Sequence, residues 1–154
     1  EIIDKKSNRY FFIENHKKIK ITKAPELKTK IDLHPDFPEK GCRIFKTKDD
    51  FFIEDKLEKD KVYRFMHLFN FKDSKFNSID YNKELNAKLI HWLPASKDLA
   101  NVEILMPDNS IIKGLAEPSV KKLKLNQIIQ FERKFFCKLD KKEKNRLVFY
   151  FLHR

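Results

Sequence analysis

Residues Asn126–Asp140 read NQIIQFERKFFCKLD, and the fold of the chain turns on how they are read. Ile129, Phe131, Phe135, Cys137 and Leu139 share one period-2 face, the pattern of a strand with one side in a core. Gln130, Glu132 and Arg133 bring hydrogen-bonding groups into the same segment. Gln130 and Arg133 differ in parity, so a regular strand sends them to opposite faces. If both serve one site, the strand has to bulge or begin between them. The plainer alternative is a barrel strand whose polar residues are simply solvated.

Short strands of the same kind extend outward in both directions. Arg9–Glu14 is a short aromatic strand, and Lys18–Lys23 alternates, with Ile19 and Ile21 on one face and lysines on the other. Ala24–Lys40 holds three prolines and reads as a long surface connection. Arg43–Lys48 and Phe51–Asp55 follow as strands around an Asp49–Asp50 turn. Lys61–Phe71, KVYRFMHLFNF, reads as one longer strand, with Arg64 among apolar neighbours. An arginine there can also be a strand-end residue that reaches back to water. Ile79–Tyr81 and Lys88–Leu93 are expected to pair through a loop at Asn82–Asn86, with Trp92 in the core. Asn101–Pro107 and Ile111–Leu115 flank an Asp108–Ser110 turn, and Pro118–Ser119 starts a helical turn over Val120–Lys124. Asp140–Asn145 reads as a charged hairpin tip, and Leu147–Leu152 as a strand buried on both faces. About ten short strands and little helix make an all-β sandwich or barrel. Gly41 and Gly114 are the only glycines, so the corners must rely on Asp, Asn and Pro.

Composition narrows the class of partner. The 154 residues carry 34 Lys plus Arg against 23 Asp plus Glu, a net charge of +11. That balance suits a polyanion, either nucleic acid or an anionic membrane surface, or else reflects a solvated basic exterior. Fifteen phenylalanines argue against a disordered chain. Cys42 and Cys137 lie far apart without a C-x-x-C, which points away from a disulfide framework and towards a reducing cytoplasm. The five histidines show no H-x-x-x-H spacing, so no zinc site is expected. There is no glycine-rich phosphate loop, and the Asp49–Asp50 pair reads as a solvated turn. No apolar run approaches the roughly 18 residues of a membrane span. The chain opens on Glu1 without a signal-peptide pattern, which leads us to expect a piece or a processed product of a longer protein.

QFER, followed by an aromatic–Cys pair and Leu-Asp, resembles the C-terminal anticodon-binding domain of glutamyl- and glutaminyl-tRNA synthetases. So do KGLAEPSVK at Lys113–Lys121, RYFFI at Arg9–Ile13, LHPDFPEKGCR at Leu33–Arg43, MHLFNF at Met66–Phe71 and IHWLP at Ile90–Pro94. The matches run in family order over nearly the whole chain. The ending VFYFLHR at Val148–Arg154 is similar to the archaeal type of glutamyl enzyme.

The resemblance implies an all-β fold of two β-barrels packed side by side, the ribosomal L25-like arrangement. The first, proximal barrel would take residues 1–40 plus 95–154, and the second, distal barrel 41–94. It also implies a glutamate–tRNA ligase whose catalytic domain lies upstream, with HIGH-type and KMSKS-type signatures that do not occur here. No cofactor is then expected in this piece, while the full-length enzyme would use ATP with magnesium. The expected partner is a glutamate-accepting tRNA in the cytoplasm, without a membrane, and a glutamine-accepting tRNA stays open. In the family, the Arg of the opening N-R motif and the Gln and Arg of QFER contact the middle anticodon base. These correspond to Arg9, Gln130 and Arg133. An arginine matching the one in KVYRF contacts the first base and corresponds to Arg64. Glutaminyl enzymes carry third-base contacts in a longer segment before that strand, and here only Lys56–Lys61 stands in its place. A glutaminyl enzyme, an rRNA-binding domain of the same fold and a protein-docking module are the alternatives.

Overall fold

The computed structural model describes residues 7–154. Its strands are β1 (Arg9–Tyr10), β2 (Phe12–Glu14), β3 (Lys17–Lys20), β4 (Leu27–Asp32), β5 (Cys42–Thr47), β6 (Asp50–Ile53), β7 (Val62–Phe65) and β8 (Asn70–Lys72). They continue with β9 (Lys75–Ser78), β10 (Lys88–Ile90), β11 (Leu93–Pro94), β12 (Ala100–Leu105), β13 (Ile111–Ala116), β14 (Ile128–Phe131), β15 (Phe135–Glu143) and β16 (Arg146–His153). The helical content among the described residues is three short 3-10 turns, at Pro38–Lys40, Lys83–Leu85 and Pro118–Lys122. The fold is all-β. None of its helices is long and apolar enough to cross a membrane. The described residues form two compact units, one from residues 7–15, 32–43 and 96–154, the other from 16–31 and 44–95.

The first unit is built on a seven-stranded sheet in the order β1-β14-β15-β16-β12-β13-β2. Its two edge strands are adjacent in sequence, separated only by Phe11. β1 runs parallel to β14, and β2 runs antiparallel to β13. One short segment therefore supplies both edges, and the sheet curls until it nearly closes, which removes its exposed edges. Phe12, Val102, Ile104, Ile129, Phe131, Cys137, Leu139 and Phe149 fill the interior. Burial pushes the Cys137 thiol well above its ordinary value, so it stays protonated and inert. Gly114 sits where the sheet is tightest, because a Cβ there would lie 2.1 Å from the Ile13 carbonyl oxygen. Only a residue without a side chain lets β2 approach β13 this closely.

A buried ion pair ties three segments of this unit together. Arg43 Nε donates to Glu117 Oε1 at 2.9 Å, and both side chains are almost fully buried. Glu117 Oε2 also accepts from the Phe11 amide at 2.7 Å, and Ser119 Oγ donates to Oε1. The second arm of Arg43 donates to the Asp32 carbonyl. Every strong hydrogen-bonding site of the pair is thus engaged, as a charge removed from water requires.

The second unit carries a four-stranded sheet, β10-β7-β8-β9, and a three-stranded sheet, β11-β6-β3, and neither closes. Its core is aromatic. Phe51 and Phe65 lie 4.7 Å apart, Phe65 and Phe71 4.6 Å, and Trp92 lies 5.2 Å from Phe45. The Trp92 indole donates to the Met66 carbonyl at 2.9 Å, which satisfies the one polar atom of this buried ring.

Several sequence expectations need correction. Asn126–Asp140 is a hairpin, not one strand: β14 and β15 pair with Phe131 opposite Phe135 and Ile129 opposite Cys137. Lys61–Phe71 likewise breaks into β7 and β8 around a turn at Met66–Phe69. In both cases two phenylalanines four apart close a short turn. An even separation keeps parity, so a hairpin and a straight strand give the same alternation in sequence. Ala24–Lys40 contains β4, whose alternating LKTKID the prolines obscure. Ile79–Tyr81 is not a strand; β10 instead pairs parallel with β7, and β11 pairs antiparallel with β6. Leu147–Leu152 is not buried on both faces, because Tyr150 is exposed. The corners do avoid glycine: of ten non-glycine residues at positive φ among those described, six are Asn or Asp.

Glu117→Ala is expected to lower unfolding stability by about 3–5 kcal/mol in urea titration, because it strands the Arg43 guanidinium in the core. Thiol labelling at neutral pH should modify exposed Cys42 in the native chain and reach Cys137 only after denaturation.

Candidate nucleic-acid interface

β14 turns Ile129 and Phe131 into the core and Gln130 outward. On the parallel neighbour β1, Arg9 is the register partner of Gln130, while Tyr10 beside it is buried. Register partners project to the same side of a sheet, so the Arg9 and Gln130 side chains leave neighbouring strands from the same face. The backbone fixes them: the Gln130 amide donates to the Asn8 carbonyl at 2.9 Å, and Glu132 to that of Tyr10 at 2.9 Å. Asn8 Nδ2 donates to the Tyr10 hydroxyl at 3.3 Å. Burial holds the Tyr10 phenol above its ordinary value, against the Asn8 hydrogen bond. Asn8 Oδ1 and Arg9 Nε are buried and have no hydrogen-bond partner. A buried polar atom without a partner costs about 1–3 kcal/mol, and on the outward face a ligand that accepts from Arg9 Nε relieves that cost.

Arg133 lies beyond the end of β14, not on it. It is the third residue of the turn Phe131–Lys134, which the Lys134 amide closes by donating to the Phe131 carbonyl at 2.9 Å. Its φ is +61°, a value that glycine or asparagine usually supplies at that turn position. Because the strand ends between Gln130 and Arg133, strand parity no longer separates them.

The outward row continues beyond Gln130. Phe136 on β15 is the register partner of Gln130, and His153 on β16 is the partner of Phe136. Their rings lie 5.0 Å apart at 30°. The sequence reading missed both. Phe136 was detectable as the outward aromatic between buried Phe135 and Cys137. His153 was not, because a bulge shifts the β15–β16 register between Phe136 and Cys137 and so changes its face.

Arg64 lies in the second unit, on the outward face of β7 between buried Tyr63 and Phe65. Its guanidinium donates to Asn70 Oδ1 at 3.0 Å and to the Ile79 carbonyl at 2.9 Å. It sits 6.0 Å from the ring centre of Tyr81, which is 72% exposed. Partial burial draws its pKa below the ordinary arginine value, against the pull of Asp80 and Tyr81. Neither Asn70 nor Tyr81 was singled out from sequence: a single straight strand keeps Asn70 six residues away from Arg64, and Tyr81 falls outside that strand.

Residues 7–90 match the family described as tRNA synthetases class I (E and Q), anti-codon binding domain, and residues 89–140 match a second profile of the same description. The chain belongs to this family. It is 39% identical to a glutamate–tRNA ligase of Methanocaldococcus jannaschii over its full length, which is 30% of that protein. One from Methanobrevibacter smithii is 36% identical over 96% of the chain and 28% of its own length. One from Pyrococcus abyssi is 31% identical over the whole chain and 30% of its own length. The chain thus spans about 30% of the relatives it matches.

This anticodon-binding domain also carries an open basic cleft of about 510 Å³ at the β15–β16 turn. Lys97, Lys121, Lys142, Lys144 and Arg146 line it, with Glu143 as the one carboxylate. Glu143 and Glu103 hold the Arg146 guanidinium in place, and both raise its pKa.

Arg133→Gly is expected to leave stability unchanged or to raise it by up to about 1 kcal/mol. Relief of the left-handed strain is worth about 1–2 kcal/mol, set against the chain entropy of glycine. Arg133→Ala keeps the strain and should gain nothing. Urea titration of the two variants checks this.

Proposed function

We propose that the chain is the anticodon-reading part of a glutamate–tRNA ligase. The observation that carries this reading is the Arg9–Gln130 register pair, with Arg133 in the adjoining turn, on a domain of this family. In this reading the two compact units are two β-barrels. The proximal one takes the N-terminal segment and the C-terminal third, and the distal one the middle of the chain. The grouping of 16–31 with 44–95 supports assigning 16–31 to the distal barrel. ATP with magnesium and the aminoacylation chemistry belong to a catalytic domain elsewhere in the full-length protein, which acts in the cytoplasm.

Gln130, Arg9 and Arg133 read a uridine at the middle anticodon position. Uridine offers an N–H between two carbonyls. The Gln130 amide accepts from that N–H and donates to one carbonyl, while the guanidinia, which only donate, suit the other carbonyl or the adjacent phosphate. Cytidine presents an amino donor where one carbonyl stood, so a guanidinium would face another donor, at about 1–3 kcal/mol. Arg64, oriented by Asn70 and backed by Tyr81, reads the first anticodon base. A glutamine-accepting tRNA is the second reading, favoured by the joint description of the family as E and Q.

Titration of the chain with an anticodon stem-loop tests this. Three to five phosphate contacts give a slope of log affinity against log salt of roughly −2 to −4. Arg133→Ala should lower affinity for the uridine loop by about 1–3 kcal/mol and shrink its advantage over cytidine. Lys142→Ala, in the basic cleft, should weaken both loops alike. A slope near zero, or an unchanged uridine-to-cytidine ratio in Arg133→Ala, would overturn the reading.

A further inference from the structure

We infer that Phe136, with His153 beside it, is a stacking platform for the nucleotide next to the one held by Arg9 and Gln130. The inference rests on the anticodon-reading function proposed above and adds a contact that the function does not require.

Three observations converge on these two rings. The first is register: Arg9, Gln130, Phe136 and His153 are successive partners across β1, β14, β15 and β16. Neighbouring strands are about 4.8 Å apart, so the row is roughly 14 Å wide. It runs from a guanidinium through an amide to two rings on one face. The second is exposure. Phe136 is only half-buried and His153 is exposed, whereas Phe131, Phe135 and Phe149 of the same strands are in the core. A half-exposed phenylalanine in a sheet whose interior is already filled contributes little to that core.

The third is the bulge. Regular alternation along β16 would put His153 on the inward side with Phe149 and Phe151. The register steps from Cys137↔Phe151 to Phe136↔His153, so Leu152 is the extra residue and His153 turns outward next to Phe136. Bulges re-aim side chains in this way beside functional sites. Here the bulge completes an aromatic surface next to an amide and a guanidinium. Single-stranded RNA is held by the same combination, with bases splayed against rings on a sheet face and their edges read by neighbouring polar groups. Any base has a π-face, so the platform adds affinity without selecting sequence, while Gln130 and the arginines supply selection.

The test is a double-mutant cycle between protein and RNA. Phe136→Leu, which keeps the site apolar, should weaken binding of the anticodon stem-loop roughly 5- to 150-fold, the worth of one base–aromatic stack. Phe136→Trp should restore it. Abasic substitution is then made in turn at each loop position beside the middle anticodon base. At one of them, Phe136→Leu should cause no further loss, and 2-aminopurine placed there should be quenched on binding wild type and not on binding Phe136→Leu. Equal loss on intact and abasic loops would show a structural role only and overturn the inference. If wild type binds the loop, and Arg133→Ala shrinks the uridine preference while Phe136→Leu has no effect, the platform is overturned and the anticodon reading stands. If wild type binds no loop, both are overturned.

Discussion

The Arg43–Glu117 pair is the constraint on which the first unit depends. Its cost is set by burial: neither charge has access to water, so each must be satisfied by fixed protein groups. Glu117 binds the Phe11 amide, and Phe11 is the single residue between the two edge strands β1 and β2. That contact holds the point at which one segment changes from pairing with β14 to pairing with β13. Arg43 binds the Asp32 carbonyl, where the chain re-enters this unit. A nonpolar pair of similar size would fill the space, but it would leave the Phe11 amide and the Asp32 carbonyl without these partners.

Placement of the outward row follows from this closure. Arg9 faces Gln130 only because β1 leaves the segment before Phe11 and lies parallel to β14. If Phe11 shifted by one residue, period-2 alternation would send Arg9 inward and Tyr10 outward. The buried pair thus fixes the side chains that the proposed function uses without touching RNA itself. It also gives a physical reason for two of the sequence motifs. LHPDFPEKGCR ends on Arg43, and KGLAEPSVK contains both Glu117 and the tight Gly114. These motifs carry scaffold residues, whereas QFER carries proposed readers.

The all-β class and most core positions were legible because they depend on alternation, which survives errors in element boundaries. Ile129, Phe131, Phe135, Cys137 and Leu139 are all buried although the strand that was read through them is a hairpin. Turn geometry was not legible. Nothing in F-E-R-K-F or F-M-H-L-F has the glycine or asparagine that ordinarily marks a positive φ, yet Arg133 and His67 both adopt one. The surroundings of Arg64 were hidden for a related reason, since Asn70 reaches it only after β7 folds back on β8. His153 was hidden by a bulge, a change of register that composition does not signal.

Arg133 shows what such a failure can mean. Most residues in left-handed backbone here are Asn or Asp, whose short polar side chains tolerate it. Arginine has no such advantage, and its backbone costs about 1–2 kcal/mol relative to a relaxed conformation. A turn selected for stability alone would carry glycine or asparagine at that position. Local strain of this kind persists where the surroundings enforce it and tends to cluster at functional sites. Here the β14–β15 hairpin enforces it, with Phe131 and Phe135 packed below the turn. The exposed Arg133 is thereby mounted on a hydrogen-bonded two-strand hairpin turn. The proposed function gives this a use, because a donor that tells a carbonyl from an amino group loses discrimination if it can swing away from a mismatched base. In the proposed function, the left-handed backbone at Arg133 and the unpartnered Arg9 Nε are two aspects of one arrangement, in which donors are held in place before the base arrives.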